Sequence, residues 1–126
     1  MLKDSKSFSS FSTNDLVKAQ EFYSQTLGLE VEKMEMGVLS LHLSGGAEVT
    51  IYPKDDHSPA TFTVLNFLVD DIVSEVDELA QKGVQFEQYD NEDIKTNEKG
   101  LSNQDGRSMA WFKDPAGNII GLLQVK

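Results

Sequence analysis

The chain contains no cysteine, few basic residues and no long hydrophobic run. Without cysteine it has no disulfide, no thiol nucleophile and no thiolate metal ligand. Eleven Lys and Arg stand against 21 Asp and Glu in 126 residues, a formal net charge of −10, which opposes binding to nucleic acid or anionic lipid. No segment approaches the roughly 18 apolar residues of a membrane span. The opening MLKDSKSFSS has no apolar signal core. We therefore expect a cytoplasmic protein without nucleic-acid or membrane partners.

Hydrophobic periodicity predicts a strand, a helix and three further strands in the first half. Phe8–Thr13 alternates as a strand, and Asn14-Asp15 offers a helix N-cap. The predicted helical face consists of Leu16, Ala19, Tyr23 and Leu27, and Gly28 follows it as a terminal glycine. The three β-type runs that come next are Leu29–Met36, Val38–Ser44 and Glu48–Tyr52.

The second half repeats this order of elements. A strand at Thr61–Val69 leads to a second acidic cap, Asp70-Asp71. The second helical face consists of Ile72, Val76, Leu79 and Ala80, and Gly83 ends it. The later predicted strands are Val84–Tyr89, Ser108–Lys113 and Ile119–Val125. Such internal similarity indicates a duplicated βαβββ module. We expect one domain, 1–126, built from modules 7–60 and 61–126, with a polar loop at 90–107 that is either functional or disordered.

The duplicated module resembles the vicinal oxygen chelate superfamily, which includes glyoxalase I, extradiol dioxygenases and the fosfomycin and bleomycin resistance proteins. The resemblance covers about residues 7 to 125 and rests on the NDL and VDD helix starts and on WFKDPAGNIIGLLQ. Within the last segment, Asp114–Asn118 has the Asp, Pro and Gly that a tight turn requires. The resemblance implies an α+β fold in which tandem βαβββ modules form curved mixed sheets, or half-barrels, around a cleft.

In metal-dependent members, the resemblance implies one divalent ion held by His, Glu or Gln from the first and last strands of each module. The four corresponding positions here are Phe8, Thr50 (with Glu48 and Tyr52 as neighbouring candidates), Val64 and Gly121. Phe, Val and Gly have no donor side chain, and a threonine hydroxyl binds transition metals poorly. The only histidines, His42 and His57, lie elsewhere. We therefore expect no metal site and no cofactor.

Strand alternation predicts an apolar face under each helix and an opposite face that mixes polar and apolar side chains. That mixture is typical of a small-molecule pocket. The predicted ligand-binding residues are Ser10, Ser12, Thr50, Tyr52, Asn66 and Trp111. Asn66 is the most specific of these, because a mid-strand Asn has low β-propensity and needs hydrogen-bond partners when buried. The others also fit ordinary strand or core roles.

Three functions fit these residues. The favoured one is a metal-free protein, expected to be a homodimer, that binds a small and partly apolar molecule. The alternative is a glyoxalase-like lyase or isomerase that uses side-chain acid/base groups, for which Tyr52, Glu48 and His42 are the candidates. The third is a scaffold protein with an empty cleft. The pattern predicts neither the ligand nor a catalytic residue.

Overall fold

The computed structural model describes residues 1–125 and contains two four-stranded mixed sheets. The chain divides into two compact units, Met1–Ser58 and a second unit that begins at Pro59, and each unit holds one sheet. Over the described residues neither sheet closes into a barrel. The expected α+β fold of repeated βαβββ modules is confirmed. None of the helices in residues 1–125 has the length and apolar character needed to cross a membrane.

The first unit contains one helix and four strands, with two short 3-10 turns at Leu2–Asp4 and Ser44–Gly46. The elements are β1 (Ser9–Thr13), α1 (Leu16–Glu21), β2 (Glu30–Lys33), β3 (Leu39–His42) and β4 (Glu48–Pro53). The strand order is β1-β4-β3-β2, with β1 parallel to β4 and the other pairs antiparallel. The strands β1, β2 and β3 are shorter than the sequence pattern predicts, and β4 is one residue longer. The predicted helix changes to a π-helical turn over Phe22–Thr26.

Helix α1 begins where the sequence predicts and covers one face of this sheet. The Asp15 carboxylate caps it by accepting a hydrogen bond from the Lys18 backbone N–H at 3.1 Å. Tyr23 is fully buried, and its ring centroid lies 6.2 Å from that of Phe11. The buried residues of the helix-covered face are Phe11, Leu39, Leu41, Val49 and Ile51. Alternation therefore directs the intervening residues to the opposite face.

The second unit repeats the arrangement in strand order β5-β8-β7-β6, with β5 parallel to β8. Its elements are β5 (Thr63–Leu68), α2 (Ile72–Gln81), β6 (Ser102–Gln104), β7 (Arg107–Lys113) and β8 (Ile119–Val125). Asp71 caps α2 by accepting from the Ser74 N–H at 3.2 Å. The helix buries Ile72, Val76 and Leu79.

The predicted strand Val84–Tyr89 is wrong. Only Phe86 pairs with Phe112, in an isolated bridge, and the Glu87 N–H donates to the Trp111 carbonyl at 2.8 Å. Gly100 packs against this segment so closely that a Cβ there would lie 2.8 Å from the Phe86 Cβ. The polar loop therefore folds back onto the segment, which does not continue as a strand.

The loop predicted at 90–107 contains the short strand β6. Asp105 and Gly106, with φ of 50° and 80°, form the two-residue turn that joins β6 to β7. Before β6, the Asn97 side chain accepts hydrogen bonds from the N–H groups of Lys99 and Leu101 at 2.9 and 3.0 Å. Side-chain-to-backbone bonds thus shape this loop.

Candidate functional site

Four of the six predicted ligand-binding residues share one face of the first sheet. Ser10 on β1 and Ser40 on β3 both pair in register with Thr50 on β4, and Ser12 pairs with Tyr52. We call this surface, formed by Ser10, Ser12, Ser40, Thr50 and Tyr52, the Thr50 face. Ser40 is a member that the sequence pattern did not single out, and it is 8% exposed. The face combines hydroxyl groups with one half-exposed phenol.

His57 also reaches the Thr50 face, although it lies in a loop. Its Nδ1 lies 2.6 Å from the Ser12 Oγ. The His57 N–H donates to the Lys54 carbonyl at 3.0 Å, and the Lys54 ammonium pairs with Asp56. Sequence reasoning missed this contact because no strand or helix period fixes where a loop side chain points.

A cluster of charged residues lies on the same side of this sheet, at the other end of β4. His42 pairs in register with Glu30 and Glu48, so the three side chains point to one side. Its Nε2 lies 2.9 Å from a Glu32 carboxylate oxygen, and its Nδ1 lies 3.6 Å from Glu48. The hydrogen bond to Glu32 raises the pKa of His42, and the charges of Glu30 and Glu48 add to this shift.

The other two predicted site residues meet on the second sheet. Asn66 on β5 and Trp111 on β7 both pair in register with Gly121 on β8. We call the surface formed by Asn66, Gly121 and Trp111 the Asn66 face. It lies opposite α2, because the neighbouring Ile120 and Leu122 are buried on the helix side. Each unit carries its own set of predicted residues.

Gly121 makes room for the Asn66 side chain. A Cβ at position 121 would lie 2.5 Å from the Asn66 Oδ1 and 3.2 Å from the Thr63 Cγ2. The carboxamide therefore lies over the backbone of Gly121. Trp111 is 7% exposed, and its ring meets that of Tyr89 edge-to-face with centroids 5.5 Å apart. Burial raises the pKa of the Tyr89 phenol.

The Asp114–Asn118 turn serves the fold. Asp114 and Asn118 are 5% and 2% exposed. One Asp114 oxygen accepts from the N–H groups of Ala116 and Asn118, both at 2.9 Å, and the other accepts from the Asn118 carboxamide at 3.0 Å. These hydrogen bonds stabilise the turn between β7 and β8. Because the Asp114 carboxylate is buried and used within the turn, we assign it a structural role.

The residues present do not fit the divalent ion that the fold family implies. Phe8 and Val64 offer no donor atom, and Thr50 offers only a hydroxyl; of its neighbouring candidates Glu48 and Tyr52, only Glu48 offers a carboxylate. At Gly121 the donor would have to occupy space that the Asn66 carboxamide already fills. Among residues 1–125, no three His, Cys, Asp or Glu side chains are grouped so that they could hold a metal ion. The chemistry of these positions is hydrogen bonding and apolar contact.

The chain joins two units of the same βαβββ order, each with one four-stranded sheet. The model of the Glyoxalase/Bleomycin resistance protein/Dioxygenase superfamily matches residues 9–122, and the chain belongs to this superfamily. The resemblance to this superfamily that the sequence indicates is confirmed. A search of curated proteins finds no match.

Solved structures show the same fold at low sequence identity. The antibiotic binding protein TnmS3 from Streptomyces sp. CB03234 is 23% identical, with a TM-score of 0.70 and 98% of each chain covered. A Bacillus anthracis protein assigned to the glyoxalase family is 21% identical, with a TM-score of 0.70 and 97% of each chain covered. The fosfomycin resistance protein FosX from Listeria monocytogenes is 14% identical, with a TM-score of 0.71, and the match covers 98% of this chain and 94% of FosX. At these identities the likeness is one of fold.

Proposed function

We propose that this protein binds a small, partly apolar molecule without the superfamily's metal ion, and that the Thr50 face and the Asn66 face each carry ligand-binding residues. One observation carries the proposal: the Asn66 carboxamide fills the space of a side chain at Gly121, the position of the family's last-strand ligand. Similarity in fold to an antibiotic binding protein and to a fosfomycin resistance protein supports a small-molecule ligand. We also propose that the protein works as a cytoplasmic homodimer.

The two faces offer the groups that such binding needs. The Asn66 carboxamide has both a donor and an acceptor, and the hydroxyls of Ser10 and Thr50 add more of each. Trp111 and Tyr52 supply aromatic surface. Burial of apolar ligand surface would supply most of the affinity, and the polar groups would fix orientation.

A metal-free lyase or isomerase is the second candidate, and one observation favours it. The imidazole of His42 is hydrogen-bonded to Glu32 at 2.9 Å and lies near Glu48. A carboxylate-supported imidazole is a common general acid/base arrangement. Tyr52, the third candidate for this chemistry, pairs with Ser12 at the opposite end of β4, so the three candidates do not converge.

A thermal-shift screen of small antibiotics and aromatic metabolites tests the proposal. A ligand at about one hundred times its Kd adds roughly 2.7 kcal/mol to the free energy of unfolding. We expect at least one ligand whose shift is lost in Asn66→Ala or Thr50→Val and kept in Gln85→Ala, a change at an exposed residue that belongs to neither face. Ligands unaffected by either variant, or no ligand at all, would contradict the proposal. Chromatography of the incubated ligand distinguishes binding from turnover.

A further inference from the structure

We propose that a cleft in the first unit binds the positively charged amino group of an organic ligand. This inference rests on the proposed function and specifies the class of ligand. The cleft has a volume of about 420 Å³, and the lining residues that matter are Phe8 and Glu48, with the Gly45–Gly46 turn.

The cleft continues the Thr50 face. Glu48 is the first residue of β4, and Phe8 is the residue directly before β1, whose first residue, Ser9, pairs with Val49. Since side chains alternate along a strand, Glu48 points to the same side as Thr50. A ligand on the hydroxyl groups of the Thr50 face would therefore extend toward Glu48.

The charge of this region selects against anions and favours cations. Glu48 is the one ionisable side chain among the lining residues. Next to it, His42 is surrounded by Glu30, Glu32 and Glu48. Three carboxylates against one imidazole leave the region negative even when His42 is protonated. The Glu48 side chain is 55% exposed, so it remains accessible to a ligand.

The uncharged groups of the cleft also suit an ammonium ion. Phe8 is 68% exposed, and the face of an aromatic ring attracts a cation. Gly45 and Gly46 have φ of 84° and 82°, and a Cβ on either would meet no atom within 4 Å. These glycines therefore form the turn that bounds the cleft, and they leave its space open.

Three probes that each carry a phenyl group on a four-carbon chain, and that differ in charge, test the proposal. We would titrate the 15N-labelled full chain at neutral pH with phenylbutylamine, phenylbutanol and phenylbutyrate. The amine should shift the backbone amide signals of Ser9, Gly45, Gly46 and Ala47 saturably. An exposed charge pair contributes modestly, so we expect the alcohol to bind roughly three- to fivefold more weakly, and phenylbutyrate to cause no shift.

A matched pair of variants assigns the charge selection to Glu48. In Glu48→Gln the affinity for the amine should fall to that for the alcohol, whereas Glu35→Gln, at an exposed residue between β2 and β3, should keep the difference. Amine binding that exceeds alcohol binding in Glu48→Gln would overturn the proposal, and so would no shift at the cleft amides. Equal binding of all three probes would overturn the proposed selection of a positively charged group. The proposed binding of small molecules would not be affected by that result.

Discussion

The Asn66 carboxamide and a side chain at position 121 exclude each other, because a Cβ on Gly121 would lie 2.5 Å from the Asn66 Oδ1. Real Cβ atoms do not approach another heavy atom so closely, so one of the two groups must move. Gly121 also stands where the family resemblance implies a last-strand metal ligand. Gly121 therefore accounts both for the absence of a metal-ligating side chain at this position and for the placement of the Asn66 carboxamide on the Asn66 face.

Gly121→Ala should displace the Asn66 side chain while the fold persists. The atom that the new methyl group meets first is the end of a flexible side chain, so we expect the free energy of unfolding to change by less than about 1 kcal/mol. The side-chain amide signals of Asn66 should shift in an 15N correlation spectrum. Any ligand found in the screen should bind as weakly as it does to Asn66→Ala. Unchanged Asn66 signals would refute this relationship.

Ser12→Ala should loosen the loop that carries His57. The hydroxyl bond to the His57 ring is lost, which costs roughly 1 kcal/mol of stability. Amide hydrogen exchange should accelerate at residues 54–57 and stay unchanged in β4. Ser10→Ala, two residues away on the same face, is the matched control and should leave the loop unaltered. Equal acceleration in both variants would argue against a specific tie to His57.

Asp114→Ala should destabilise the protein strongly. The carboxylate is buried and accepts three hydrogen bonds within the turn, so its removal leaves buried donors unpaired, at a cost of about 3 kcal/mol. Urea denaturation measures the change. Asp93→Ala removes an exposed carboxylate from the loop before β6 and should cost less than about 0.5 kcal/mol. Similar losses in the two variants would contradict the structural role of this turn.

Local signals explain the part of the fold that the sequence predicts. Asp15 and Asp71 cap their helices as expected, because a cap depends only on residues within one turn. The Asp114–Asn118 turn and the alternation that places Thr50 and Asn66 opposite the helices are equally local. The strand β6 was missed even though Asp105-Gly106 is a typical two-residue hairpin turn, because Ser102–Gln104 is too polar to suggest a strand.

Other features depend on contacts between distant residues and left no local signal. The Phe86 segment has the composition of a strand, yet the close approach of Gly100 gives it a single bridge instead. The Ser12–His57 bond joins residues 45 positions apart. The space that Asn66 shares with Gly121 follows from the register between β5 and β8, which strand alternation within either segment does not reveal.

His42 should titrate above its ordinary value of 6.5, because its hydrogen bond to Glu32 and the charges of Glu30 and Glu48 raise its pKa. A raised pKa in the folded state means that this cluster stabilises the fold fully below about pH 6.5 and loses that effect as pH rises through the folded-state pKa. Imidazole signals followed by NMR across pH give the value. Glu32→Gln should lower it and Glu35→Gln should not. A pKa at or below 6.5 in the unaltered chain would contradict the prediction.

We propose that this member of the superfamily binds small molecules without the family's metal ion. Elemental analysis tests it most directly, on protein produced with zinc, nickel, manganese and iron supplied and purified without chelators. We expect far less than one ion of any of these metals per chain after dialysis, and a thermal unfolding midpoint that a chelator leaves unchanged. One tightly held ion per chain, whose removal lowers that midpoint, would contradict it.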